Sequence, residues 1–264
     1  MLLAATSEDA AAASWGQWVW RADALAQAAG AVLPSGYALL DAALPGGGWP
    51  VGALCELLQP PAQHHEWRLL LPGLRACMRA HAQTQVGPRA CGVVLVGAPH
   101  TPFGPGLMAW GLDVRQLLWL KVEGARERLW ASEQALRCAG VQAVLAWLPT
   151  VRSSELRRLH LAAQAHDKFL FVMRPAASRN EASPAVLRLL AQQAAGTALA
   201  LQVLKRRGPP LTQTLQLDDQ RAALSVFLAA AGVQPVAAAA TQCASPTHAL
   251  PVPSHALDCL AGAA

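Results

Sequence analysis

The sequence predicts an α/β domain: a mostly parallel, twisted sheet with helices on both faces and an antiparallel β-hairpin at one edge. Three observations carry this. Short apolar runs of strand length recur between residues 51 and 175. Segments of roughly 10–16 residues with helical periodicity separate them. The runs are apolar almost throughout rather than alternating, as expected of strands covered on both faces.

The elements follow in order. "ALCELL" (53–58) is a strand. "EWRLLLPGLRACMRAHA" (66–82) has helical period, and Pro72 must lie in its first turns or kink it. "CGVVLVGAP" (91–99) is a buried strand ended by Gly and Pro, and "QLLWLKV" (116–122) is a third strand. "ARERLWASEQALRCAG" (125–140) divides into an apolar and a charged face and closes on Gly140. "VQAVLAWLP" (141–149) is a fourth strand. "SSELRRLHLAAQAH" (153–166) is a helix that Ser153 or Ser154 can cap, with Glu155 at its positive end. "KFLFVMRP" (168–175) is a fifth strand. "TALALQVLKRRGPPLTQTLQLD" (197–218) reads as two strands joined by "KRRGPP", the edge hairpin.

Three regions result: an N-terminal arm and helix over 1–30, with Trp15, Trp18 and Trp20 packing onto the domain or anchoring a partner; the α/β domain over 31–232; and an Ala- and Pro-rich, disordered tail over 233–264. Apolar residues make up 53% and charged residues 14% of the 264, enough for a sizeable core. The net charge of +5 permits a nucleic-acid or acidic partner without requiring one. The six cysteines form no C-x-x-C pair and read as reduced, buried thiols of a cytoplasmic protein. No apolar run is long enough to span a membrane.

The stretch "LPSGYALLDAALPGGGWPVGALCEL" (33–57) is more specific. A polar-Gly turn, a Leu-Asp pair, a Gly-rich segment and Pro-x-Gly before a strand resemble the opening of RecA-type recombinases. "GLDVRQLLWL", "SEQALR" and "VQAVLAWL" are similar to the same core in the same order. Over 30–220 the chain resembles the ImuA family, RecA-like accessory proteins of bacterial mutagenic translesion synthesis. "LDAALPGGGWP", "SELRRLHLAAQA", "ASPAVLRL" and "VLKRRG" carry that resemblance. The ImuA family is in turn distantly similar to the division inhibitor SulA.

The resemblance implies a nucleotide site, and the chemistry is missing from it. A phosphate loop needs glycines for its inward N–H groups, a Lys for the phosphates and a Ser or Thr for Mg²⁺. The loop here is "QPPAQHHE". His64 stands where such loops have Gly, His65 where they have Lys, and Glu66 where they have Thr. A carboxylate beside a triphosphate costs about 4 kcal/mol per charge pair at ~4 Å and an effective dielectric of ~20. Pro99 stands at the catalytic glutamate's position and Trp147 at that of the Mg²⁺-organising Asp. Together these degenerate positions lead us to expect no ATPase activity and no cofactor.

Other constellations are weaker. Adjacent His64 and His65 with Glu66 point in different directions and lack a third ligand, so no metal is expected. The Gly-rich stretch 46–48 reads as a turn with positive φ. Lys205, Arg206 and Arg207 form the densest basic cluster, and Arg157 and Arg158 lie on the 153–166 helix. These five are the candidate DNA or partner contacts, and would make one patch if hairpin and helix share a side. "LTQTLQL" only loosely resembles a sliding-clamp-binding peptide.

The resemblance implies a non-catalytic adaptor for SOS-induced, error-prone translesion synthesis. It would bridge an ImuB-like Y-family polymerase relative and an error-prone DNA polymerase III alpha-type subunit, with RecA or DNA as further partners. Such a protein would be cytoplasmic, and nucleoid-associated when DNA is damaged. The alternatives are a SulA-like division inhibitor binding FtsZ and a residual ATP-binding RecA-type protein.

Overall fold

A computed structural model describes residues 31–84, 92–194 and 198–217. The expected N-terminal arm and C-terminal tail lie outside the described residues. In chain order the elements are β1 (Val32–Leu33), α1 (Ala38–Ala43), β2 (Trp49–Pro50), β3 (Ala53–Gln59), α2 (Glu66–Thr84), β4 (Val93–Val96), α3 (Gly104–Ala109), β5 (Leu117–Leu120), α4 (Ala125–Arg137), β6 (Ala143–Trp147), α5 (Ser153–Ala165), β7 (Phe169–Pro175), β8 (Leu187–Gln193), β9 (Leu199–Lys205) and β10 (Leu215–Leu217). Single 3₁₀ turns at Val114–Gln116 and Ala176–Asn180 precede β5 and follow β7.

The main sheet has eight strands in the order β10-β9-β8-β3-β7-β6-β4-β5. From β8 to β5 neighbouring strands are parallel, while β9 and β10 run antiparallel. This is the expected mixed α/β architecture with its edge hairpin, consistent with a RecA-like core. Strands β3, β4 and β6 are buried along their whole lengths because helices cover both faces. Side chains alternate: Leu54 faces the cluster formed with Leu129, Leu136, Leu156 and Leu159 of α4 and α5. Cys55 and Leu57 face the opposite cluster, with Leu69, Leu70 and Leu74 of α2.

Several details depart from expectation. Helix α2 runs through Pro72 without ending there. Proline cannot bond the carbonyl four residues back, and the Tyr37 hydroxyl takes that place, donating to the Arg68 carbonyl at 2.7 Å. Gly36 (φ +87°) lies so close that a Cβ there would meet Pro72 Cβ at 2.5 Å. Gly73 in turn makes room for the buried indole of Trp49, which packs edge-on against Phe171 at 5.4 Å. The "PSGY" turn and "GGGWP" segment thus dock onto α2 and the sheet. Gly46 and Gly47 have the expected positive φ.

Helix α4 stops at Arg137 rather than Gly140. The N-cap of α5 is Arg152, not a serine, and the Glu155 carboxylate accepts from the Arg152 N–H at 2.8 Å. Strand β8 falls in a stretch not expected to be a strand, and it joins the edge hairpin to β3. Cys55 and Cys77 are buried thiols, pushed up by desolvation and in the case of Cys77 to about 11, whereas Cys138 is exposed. No helix among the described residues is long and apolar enough to cross a membrane.

Candidate functional site

In open α/β sheets, ligands gather beyond the C-terminal ends of the parallel strands. At that end of β3, β4, β6 and β7 lies a cavity of about 320 Å³, lined among others by Pro60, Pro61, His64, Pro99, Trp147 and Arg174. Three of the five degenerate positions, His64, Pro99 and Trp147, therefore line one pocket. Glu66 sits at the first turn of α2, 3% exposed, and is not among the lining residues. His65 turns to the side, its Nε2 3.0 Å from Gln63 Oε1. Its proton affinity is lowered by burial and by Arg68, against the opposing effect of Glu66.

The loop from 60 to 65 is closed upon itself. Gln63 N–H donates to the Pro60 carbonyl, and Ala62 holds φ +58°. Pro61 followed by a positive-φ residue is the pattern of a type II turn, in which the third position favours Gly. The Gln59 side chain then spans the loop: its Oε1 accepts from His65 N–H at 2.5 Å and its Nε2 donates to Glu66 Oε2 at 3.0 Å. Of the backbone positions 60–65, two are prolines without an N–H and two more donate inside the loop. A phosphate cradle needs those groups free and convergent. The mouth is bridged by His64 and His100, whose Nε2 atoms are 3.1 Å apart with edge-on rings. Among the described residues no group of three or more His, Cys, Asp or Glu is placed to hold a metal.

Two arginines that the sequence did not single out organise this end of the sheet. Arg128 of α4 donates from Nε to the Val122 carbonyl (2.9 Å) and from Nη1 to the Trp147 carbonyl (3.0 Å). It lies over Gly97 (φ +65°), where a Cβ would sit 2.6 Å from Arg128 Nε. Arg174 of β7 is buried, donates to Glu181 Oε2 at 2.6 Å and stands 3.6 Å from Glu56 Oε1. Glu181 is held below the usual carboxylate range, first by the Arg174 hydrogen bond and then by its charge.

Glu56 is fully buried in β3, 132 residues from its main partner. Arg188 donates to Glu56 Oε2 at 2.6 Å, and Ser183 donates to Oε1 at 2.9 Å. Arg188 also donates to the carbonyls of Ser178 (2.9 Å), Arg179 (3.1 Å) and Glu181 (3.2 Å). The cluster ties the segment 176–186 to the sheet.

The opposite end of the sheet holds a second cavity, about 530 Å³, lined among others by Gly52, His160, Gln164, Asp167, Arg206 and Arg207. Here the five candidate cations divide. Arg207 lines the cavity, Lys205 is two residues before it, and Arg157 is one turn before His160 on α5. Arg158 turns away to an ion pair with Glu133 at 2.7 Å, which Arg137 shares. Arg206 folds back, donating to the carbonyls of Pro209 (2.8 Å) and Ala43. The five do not form one patch.

With known proteins, one partial likeness stands out. The chain is 35% identical over 91 residues to the cell division inhibitor SulA of Edwardsiella piscicida. The match covers 34% of this chain and 54% of that protein, so the chain spans about half the length of the curated relative it matches. No family model matches the sequence. A SulA-like relationship thus holds for a third of the chain.

Proposed function

We propose that this chain is a non-catalytic, RecA-like accessory protein of the DNA-damage response that acts by binding rather than by chemistry. The observation that carries this is the loop 60–65: the fold keeps the strand, the following helix and a pocket between them, while prolines and internal hydrogen bonds take four of the loop's six backbone N–H positions. Pro99 and Trp147 line the same pocket, and the RecA-type resemblance assigns carboxylates to their positions.

The finer reading is an ImuA-like adaptor in error-prone translesion synthesis. It would hold an ImuB-like Y-family polymerase relative and an error-prone DNA polymerase III alpha-type subunit, with RecA as a further partner. The ordered motifs that span 30–220 support it, because they extend well beyond a third of the chain. A second reading is favoured by the SulA likeness: a division inhibitor acting on FtsZ. Both belong to the SOS response and need no nucleotide. Calorimetric titration with ATP and Mg²⁺ tests the shared part, with no binding expected. An FtsZ polymerisation assay and capture of the polymerase subunits separate the two.

A further inference from the structure

We propose that the cleft at the N-terminal end of β3 binds the phosphate backbone of duplex DNA through Arg157, Lys205 and Arg207. The placement comes from the fold. Residues 206 and 207, after β9, and His160 of α5 line the same cleft, and Arg157 lies three residues before His160 on that helix. Residues three apart share a helix face.

Arg157, Lys205 and Arg207 are exposed and uncompensated. Arg115, Arg137, Arg158, Arg174 and Arg188 each have a carboxylate within 4.0 Å. No carboxylate of the described residues comes that close to any of the three. Among the described residues Lys205 donates to the Ser183 carbonyl, at 2.9 Å, and a neutral acceptor leaves its charge uncompensated. Among the described residues Asp167 is the single carboxylate lining the cleft.

Arg207 and His160 line the cleft together, and Arg157 lies one turn before His160 on α5. His160 Nδ1 accepts from the Leu54 N–H at 3.0 Å, which fixes the neutral ring with its proton on Nε2. Burial lowers the proton affinity of His160 first, and Arg207, Arg157 and Lys205 then lower it further.

The chemistry of the cleft selects the partner. Among the described residues no Phe, Tyr or Trp lines it. Proteins that hold single strands rely on base–aromatic stacking as well as charge, so a bare cationic cleft suits the rigid phosphate array of a duplex. An acidic amphipathic peptide would need several apolar anchors. Leu161, 52% exposed and four residues after Arg157, is one side chain.

The test is fluorescence anisotropy of the full chain with a labelled random-sequence duplex across a salt series. The same sequence as a single strand and a polyglutamate chain serve as competitors. Three phosphate contacts predict a slope of log affinity on log salt near about −2.7, and each Arg157→Ala, Lys205→Ala or Arg207→Ala change should remove about 0.9 of it. The triple variant should lose salt-dependent binding. Arg158→Ala, whose partner is Glu133, should bind as the parent does. Thermal melts of each variant confirm that these exposed changes leave the fold intact. Absence of duplex binding at low salt overturns the inference, as does a triple variant that binds like the parent. So does stronger competition by the single strand or by polyglutamate than by unlabelled duplex. The inference is independent of any polymerase partner, so its failure would leave the adaptor reading standing.

Discussion

Replacing Glu56 by Gln should destabilise the protein severely. Glu56 is fully buried and receives Arg188 at 2.6 Å, Ser183 at 2.9 Å and the charge of Arg174 at 3.6 Å. The substitution keeps the shape but removes the carboxylate that Arg188 bonds, leaving that guanidinium buried with neutral carbonyl acceptors. Removing one partner of a buried pair costs about 3–5 kcal/mol. In a domain of this size each kcal/mol shifts the melting temperature by about 2–4 °C, so a drop on the order of 6–20 °C is expected. Urea unfolding followed by circular dichroism measures the loss. A Glu56→Gln loss below about 1 kcal/mol, in the range of exposed pairs, would refute the reasoning.

Tyr37→Phe should cost about 0.5–1.5 kcal/mol, since the part-buried Arg68 carbonyl loses its donor; in a Pro72→Ala background the helix N–H is restored and the same change should cost less in urea unfolding. Gly36→Ala should lower the melting temperature, through both its φ of +87° and the Pro72 contact at 2.5 Å. His160 binds its proton more weakly in the folded state than at the ordinary value of 6.5. The unfolded chain therefore holds more protons between the two values, and stability should rise with pH through that window. His160→Asn should flatten that rise in urea midpoints measured between about pH 5 and 8. Arg128→Ala should expose the Trp147 carbonyl and shift the tryptophan emission, with a loss of about 1–3 kcal/mol for its unpaired acceptors.

Much of the sheet was legible because burial on both faces writes itself as uninterrupted apolar runs. Strands β3, β4, β6 and β7 announce themselves this way. Strand β8 does not: "LRLLAQQ" carries Arg188 and two glutamines. Its arginine is buried only because Glu56, 132 residues earlier, meets it, and no local pattern contains that fact. The same holds for Arg128, whose position on an amphipathic helix reads as solvent-facing although it bonds two carbonyls across the site. Pro72 looked like a helix problem because its remedy, the Tyr37 hydroxyl, lies 31 residues upstream of the carbonyl it serves.

At the candidate site the residue types of the loop were legible, since two prolines and two histidines stand in the sequence wherever they fold. The self-closure by Gln59 was not, because it depends on the φ of Ala62 bringing His65 back to β3. The basic cluster was legible as composition, but its division among Arg157, Arg158 and Arg206 required the fold.

The most direct test is capture by the full-length protein from a lysate of its DNA-damaged host, with bound chains identified by mass spectrometry and purified ATP and Mg²⁺ titrated in parallel. A Y-family-like polymerase subunit retained by the protein, without Mg²⁺-dependent ATP binding, is the expected result. FtsZ retained with no polymerase subunit would contradict the adaptor reading in favour of division control. Micromolar Mg²⁺-dependent ATP binding would contradict the dismantled site on which both readings rest.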